Sequence, residues 1–198
     1  MLTAEERRAA LAIARTAIGR AMHTRHPDAT REGFRTGDAA TTLIGALADP
    51  GGAFVTLRLN NDLRGCIGYI ESSDPLGNVI DEVAEKAAFE DPRFPPLTPA
   101  EFHDIHIEIS VLSPMRRVKT IEEITVGTHG LLLEVGWRRW LLLPQVATEY
   151  GWDREEFLEN TARKAGLARS AWRDENARIF VFSAEVFEDQ EEPHVASS

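Results

Sequence analysis

The chain has 198 residues, with 22 Lys and Arg against 32 Asp and Glu, a net charge of −10 and 43% hydrophobic residues. This is a globular composition, long enough to bury a core without a disulfide or a metal, and its acid excess argues against strong non-specific binding to nucleic acid. The lone cysteine, Cys66, excludes an intramolecular disulfide, a zinc ribbon and a Cys-x-x-Cys redox pair.

Export and membrane insertion lack support as well. Charged residues at Glu5, Glu6, Arg7 and Arg8 stand where a secretory signal needs an apolar core, and no apolar run approaches the roughly 20 residues of a membrane span. A reducing cytoplasm is the expected setting.

Thr3-x-x-Glu6 fits a capping box, and Ala10, Ile13, Ala14, Ala17, Ile18, Ala21 and Met22 recur at steps of three and four, so an amphipathic helix should run to just before Pro27. The polar stretch from there to Gly37 reads as a loop. Asp38 to Ala48 suits a second short helix stopped by Pro50-Gly51-Gly52.

Ala53 to Leu59 alternates as a strand, Asn60-Asn61-Asp62 turns the chain, and Leu63 to Ile70 returns as the second arm of a hairpin carrying Cys66. Asp74 is placed to cap the next helix, and its apolar stripe is Leu76, Val79, Ile80, Val83, Ala84 and Ala87. Four prolines between Pro92 and Pro99 make a stiff connector. Thr98-x-x-Glu101 can start a helical turn. Ile105, Ile107, Ile109 and Val111 then alternate with His106, Glu108 and Ser110, which predicts a strand with one core face and one polar face.

A second hairpin is expected from Leu131–Val135 and Trp140–Leu143 around Gly136, with Pro144 ending its strand pattern. Asp153-x-x-Glu156 opens a helix whose inner residues are Phe157, Leu158, Thr161, Ala162 and Ala165, stopped by Gly166. Arg178 to Phe187 reads as a final strand, and 188–198 as an acidic, disordered tail. Hairpins and long helical excursions, without regular βαβ alternation, point to α+β with a largely antiparallel β-sheet flanked by helices.

The phosphate-cradling glycine motifs are absent, as are Gly-x-Ser-x-Gly and His-Glu-x-x-His, so nucleotide, serine hydrolase and zinc protease chemistry have no motif behind them. Cys66 is the residue with chemistry of its own. Arg64, sharing its face on an ideal strand, supplies a cation that favours a thiolate, and Gly65 and Gly68 allow a ligand or another backbone to come close. Equally, a small cysteine can simply fill a core.

His106, Glu108 and Ser110 share one strand face, so a sheet that set them near Cys66 would supply a proton carrier and an orienting carboxylate. Asp91, Arg93 and Phe94 on the proline-stiffened loop read either as a binding loop or as a turn contact with Phe94 plugged into the core. His103/His106 and His23/His26 have spacings a metal tolerates but recruit no further ligands, so no metal site is assigned. Basic clusters at Arg116-Arg117-x-Lys119 and Arg138-Arg139 read as solvated charges able to touch an anion. Trp137, Trp140, Trp152 and Trp172 are read mainly as packing residues.

Leu63-Arg-Gly-Cys-Ile-Gly68, Asp91-Pro-Arg-Phe94, Glu108-Ile-Ser-Val-Leu112, His129-Gly-Leu131, Leu143-Pro-Gln-Val146, Gly151-Trp-Asp153 and Lys164-Ala-Gly-Leu167, in this order, resemble the AMMECR domain family, whose prokaryotic members are the AmmeMemoRadiSam system protein A type. The resemblance implies one domain over 1–187 with two lobes, the Arg-Gly-Cys-Ile-Gly string as functional surface, and association with a Memo-like protein and a radical-SAM protein. It implies no reaction and no cofactor. Many members carry a second cysteine where this chain has Ala162, so no resolving thiol is available.

Two functional expectations follow. In one, the chain is a component of a multi-protein modification pathway that docks its partners through the Leu63–Gly68 surface. In the other, it is a stand-alone enzyme acting on a nucleobase, RNA or small metabolite. Cys66 is then the reactive thiol, His106 or His129 the proton carrier, and Glu108 the orienting group, with Arg64, Gly65, Gly68, Asp91, Arg93 and Gln145 binding the substrate.

Overall fold

The structure, a computed structural model, describes residues 1–27 and 43–189. Among these residues it has an α+β fold with four α-helices and two antiparallel four-stranded sheets. The chain divides into two compact units, one made of residues up to Val111 together with those from Glu185 onward, the other of Leu112–Ala184.

In the first unit, α1 (Ala4–Arg25) starts with the capping box, in which the Thr3 side chain accepts from the Glu6 N–H and the Glu6 carboxylate accepts from the Thr3 N–H. The expected apolar positions, Ala10 to Met22, are its buried face. Burying Ile13, Ile18 and Met22 contributes about 1.5–3 kcal/mol each. The sheet has the order β2-β1-β3-β8, with β1 Gly52–Leu59, β2 Asp62–Tyr69, β3 Ile105–Leu112 and β8 Ala184–Glu188. Val55, Leu57, Ile105, Ile107, Ile109 and Phe187 share a core with α1 and with α2 (Leu76–Phe89).

The β1–β2 turn uses Asn60 and Asn61 at φ 52° and 68°, the left-handed pair that a two-residue hairpin demands and that asparagine tolerates. Between Leu57 and Arg58 the register slips: Leu57 faces Gly65 while Arg58 faces Leu63, leaving Arg64 as the extra residue of a β-bulge. The bulge places Cys66 opposite Thr56.

The second unit has the sheet order β4-β7-β5-β6, from β4 (Arg116–Arg117), β5 (Gly130–Val135), β6 (Arg138–Leu142) and β7 (Arg178–Phe182). Leu131, Leu133, Leu142 and Val181 pack against Phe157, Leu158 and Ala162 of α4 (Arg154–Lys164). That helix is capped by Asp153 and followed by Gly166 at φ 69°, as its sequence predicts.

Several expectations need correction. Asp74 does not cap α2: the Ser72 hydroxyl accepts from its N–H, and the Leu76 N–H is satisfied by the Asp49 carbonyl. The run from Arg178 to Phe187 is two strands, β7 and β8, broken at Ser183 where the chain passes from one sheet to the other. Pro144 both ends the β6 pattern and opens a short helix, α3 (Pro144–Glu149), because a proline at the first helical position lacks only an N–H the helix would leave unpaired. Of the helix expected at 38–48, Gly45–Ala48 form a 3₁₀ turn and 38–42 lie outside the described residues, as do 28–37 and tail residues 190–198.

Gly65 sits so close to α2 that a Cβ there would lie 2.1 Å from the Ala87 carbonyl oxygen, whereas Gly136, at φ 61°, has open space around it. Urea unfolding should therefore show Gly65→Ala losing about 3 kcal/mol or more by overpacking. Gly136→Ala should lose only about 1 kcal/mol, through its backbone conformation.

Candidate functional site

β2 is an edge strand, so every second residue turns its N–H and C=O away from the sheet. Cys66 is such a residue. Its N–H donates to Asp91 Oδ2 at 2.9 Å, and its carbonyl accepts from Arg93 Nη2 at 3.3 Å. The Asp91 and Arg93 side chains together stand in for a fifth strand at this one position.

Asp91 is the hub. Its carboxylate also accepts from the Arg93 N–H (3.1 Å), Nε (3.0 Å) and Nη2 (2.7 Å), and its side chain is only 2% exposed against 54% for Arg93. The Arg93 guanidinium, opposed by partial desolvation and helped by the two backbone donors, holds the Asp91 carboxyl down to about 2. The same pairing raises the Arg93 value, and Cys66 adds a smaller electrostatic contribution. Arg93 is therefore a permanent cation at the surface, oriented by a buried anion. Its guanidinium also lies 5.5 Å from the Phe94 ring centroid.

Cys66 is half-buried, and the Thr56 hydroxyl donates to its Sγ at 3.3 Å. Thr56 and Cys66 form the close, non-hydrogen-bonded type of cross-strand pair, which brings their side chains together. Thr56 was not visible from sequence, because without the bulge the turn would set Cys66 opposite Val55, a residue of the core face.

Arg64 takes no part in this arrangement. Its Nε donates to Glu101 Oε1 at 2.8 Å, and Nη1 and Nη2 donate to the carbonyls of Pro95 and Pro96 at 2.9 and 3.3 Å. It fastens the proline connector to β2, and in return holds the Glu101 carboxyl down to about 2. The cation beside Cys66 is thus Arg93. Gly65 accommodates the backbone of α2, and a Cβ at Gly68 would meet the Phe54 ring at 2.4 Å, so both glycines are occupied by packing.

The polar face of β3 carries Glu108, 3.7 Å from Arg58 Nε, and His106, whose Nδ1 lies 3.8 Å from Asp189 Oδ1. β1 stands between β3 and β2, and two strand spacings of about 4.8 Å put roughly 10 Å between the β2 and β3 backbones. Among the described residues the side-chain bonding partners of Cys66 are Thr56, Asp91 and Arg93, with no imidazole among them. His129, whose Nδ1 accepts from the Thr125 N–H at 3.0 Å, and Gln145 on α3 belong to the second unit. Among the described residues no group of three or more His, Cys, Asp and Glu side chains could hold a metal ion, and no helix is long and apolar enough to cross a membrane.

Comparison with known proteins adds the following. A family model described as AMMECR1 matches residues 11–187. A protein of Methanothermobacter thermautotrophicus is 43% identical over 144 residues, covering 70% of this chain and 75% of that one. One of Thermococcus onnurineus is 45% identical over 149 residues, covering 70% and 73%. The crystal structure of an uncharacterised protein from Pyrococcus horikoshii superposes with a TM-score of 0.83 at 35% identity, covering 96% of this chain and 94% of that one.

The Asp91 geometry fixes a pH dependence. Folding lowers this carboxyl from 3.8 to about 2, so its contribution to stability is whole above about pH 4 and is lost as the pH falls through 2. Asp91→Asn should cost about 2 kcal/mol at pH 7. In urea unfolding between pH 5 and 2, wild type should lose stability more steeply than the variant, and the two should converge in acid. Parallel curves would contradict the assignment.

Proposed function

The chain belongs to the AMMECR1 family, and on that premise we propose that it is a cytoplasmic component of a multi-protein modification pathway. It docks Memo-like and radical-SAM partners, or presents substrate to them, through the surface around Leu63–Gly68. The observation that supports this reading is the Asp91–Arg93 pair: a buried carboxylate that fixes a half-exposed guanidinium over the edge of β2 at the half-buried Cys66. Leu63, 38% exposed, adds apolar area on the same strand. A strand edge with a fixed cation suits an acidic partner segment, and the glycines that would open a substrate cleft are filled from within.

A second reading, a stand-alone enzyme dependent on Cys66 and acting on a nucleobase, RNA or small metabolite, draws support from the Thr56 hydroxyl aimed at Sγ. That reading takes His106 or His129 as the proton carrier, with Glu108 orienting and Gln145 binding substrate.

The two separate cleanly by titration against the Memo-like and radical-SAM proteins of the same genome. Arg93→Glu should weaken partner binding by about tenfold or more, roughly 1.4 kcal/mol, while Cys66→Ser stays within about threefold of wild type. Loss of turnover in Cys66→Ser with partner binding intact would favour the enzyme. Unchanged binding in Arg93→Glu would remove the docking surface.

A further inference from the structure

We propose that the second unit binds a small aromatic anion in a cavity formed by its own residues, Arg117, Lys119 and Trp172 foremost. This site does not depend on the role of Cys66. The cavity has a volume of about 540 Å³, a size that suits a small organic ligand. Val118, Ile121 and Ile179 supply apolar wall, and Arg117 and Lys119 supply charge.

The strand pattern explains how two cations come to share it. Arg117 pairs with Phe180 of β7, and the Val118 N–H donates to the Ile179 carbonyl at 3.0 Å, so the extended chain turns buried Val118 inward and the residues on either side of it outward. The charges nearby are otherwise engaged. Arg116 pairs with Glu123, whose carboxylate also accepts from the N–H groups of Lys119 and Thr120. Glu122 is held low chiefly by the Thr120 hydroxyl. Among the described residues, no hydrogen bond or ion pair engages the Arg117 guanidinium or the Lys119 ammonium, in a chain whose net charge is −10.

Trp172 supplies an independent observation. The residue lines the cavity and is only 9% exposed, yet its indole Nε1 is buried with no hydrogen-bond partner among the described residues. A buried donor left unpaired is uncommon, although this one is closed off from the open cavity as it is from solvent. The Arg173 guanidinium lies 4.0 Å from the Trp172 ring centroid and is itself paired with Glu155 at 2.7 Å. Two unengaged cations, an apolar wall and an indole within that wall describe a ligand with a planar apolar body and a carboxylate or phosphate head.

The test is a titration of the full ¹⁵N-labelled chain, following the four Trp indole N–H signals, with Trp172 identified from a Trp172→Phe variant. Indole-3-acetate and adenosine monophosphate serve as carboxylate and phosphate probes, with adenosine and inorganic phosphate as controls. At least one aromatic anion should shift the Trp172 signal saturably, and about tenfold more tightly than either control. Because Trp172→Phe could disturb packing, calorimetry on Arg117→Gln/Lys119→Gln, which alters only exposed side chains, provides the second readout. There the affinity should fall about tenfold or more. No saturable binding of either aromatic anion at millimolar concentration, equal affinity in the double variant, or inorganic phosphate binding as tightly as the aromatic anions (an adventitious ion only) would each overturn the site.

Discussion

The region around Cys66 depends on one buried carboxylate. Asp91 accepts from the backbone of β2, from the backbone of its own loop and from the Arg93 side chain at once. Removing any one of these leaves a nearly fully buried anion short of a donor, which is the costly direction of change. The second clamp, Arg64 with Glu101 and two proline carbonyls, works at the far side of the same connector. Four prolines limit what the connector can do when free, so two ion pairs suffice to seat it. The edge of β2 is covered at Cys66 without another strand, and the covering cation stays in water.

The first sheet shows how far a sequence alone carries such a site. The faces of α1, α2 and α4, and of β3 as far as Ile109, were legible because each buries residues at the period of its own backbone; beyond Ile109 the β3 expectation fails, with Ser110 buried and Val111 only partly so. The Asn60-Asn61 turn was legible too, since few residues accept a positive φ. The slip at Arg64 was not, because a bulge is decided by contacts across the sheet and by the backbone of α2 against Gly65. That one extra residue reverses the faces beyond it. It detaches Arg64 from Cys66, gives Cys66 to Thr56, and leaves Arg93, from a loop read ambiguously as binding or structural, as the neighbouring cation. The break at Ser183 was hidden for a similar reason: β7 and β8 are each apolar enough to extend the other's pattern, and only their pairing separates them.

Within the AMMECR1 family fold, this chain therefore divides the conspicuous Arg-Gly-Cys-Ile-Gly string between two tasks. Arg64, Gly65 and Gly68 hold the proline connector, α2 and Phe54 in contact with β2. Cys66 keeps its thiol against a hydroxyl and its peptide group against an ion pair. The glycines of such a string speak for close packing as readily as for a ligand, and here the packing partners are identifiable atom by atom.

The chain's path through its two units bears on how it is made. β3 and β8 are neighbours in the first sheet, yet residues 113–183 are synthesised between them. The second unit is continuous in sequence; its β5–β6 hairpin closes locally, while β7 returns from the far end of the unit to pair with β4 and β5, which carries a larger loop-closure cost. The first sheet waits for its last strand until the second unit has been made. During that interval β3 is a nascent sheet edge with Ile105, Ile107 and Ile109 on one face, and the delay before β8 arrives is the period in which newborn chains are most open to mispairing with one another.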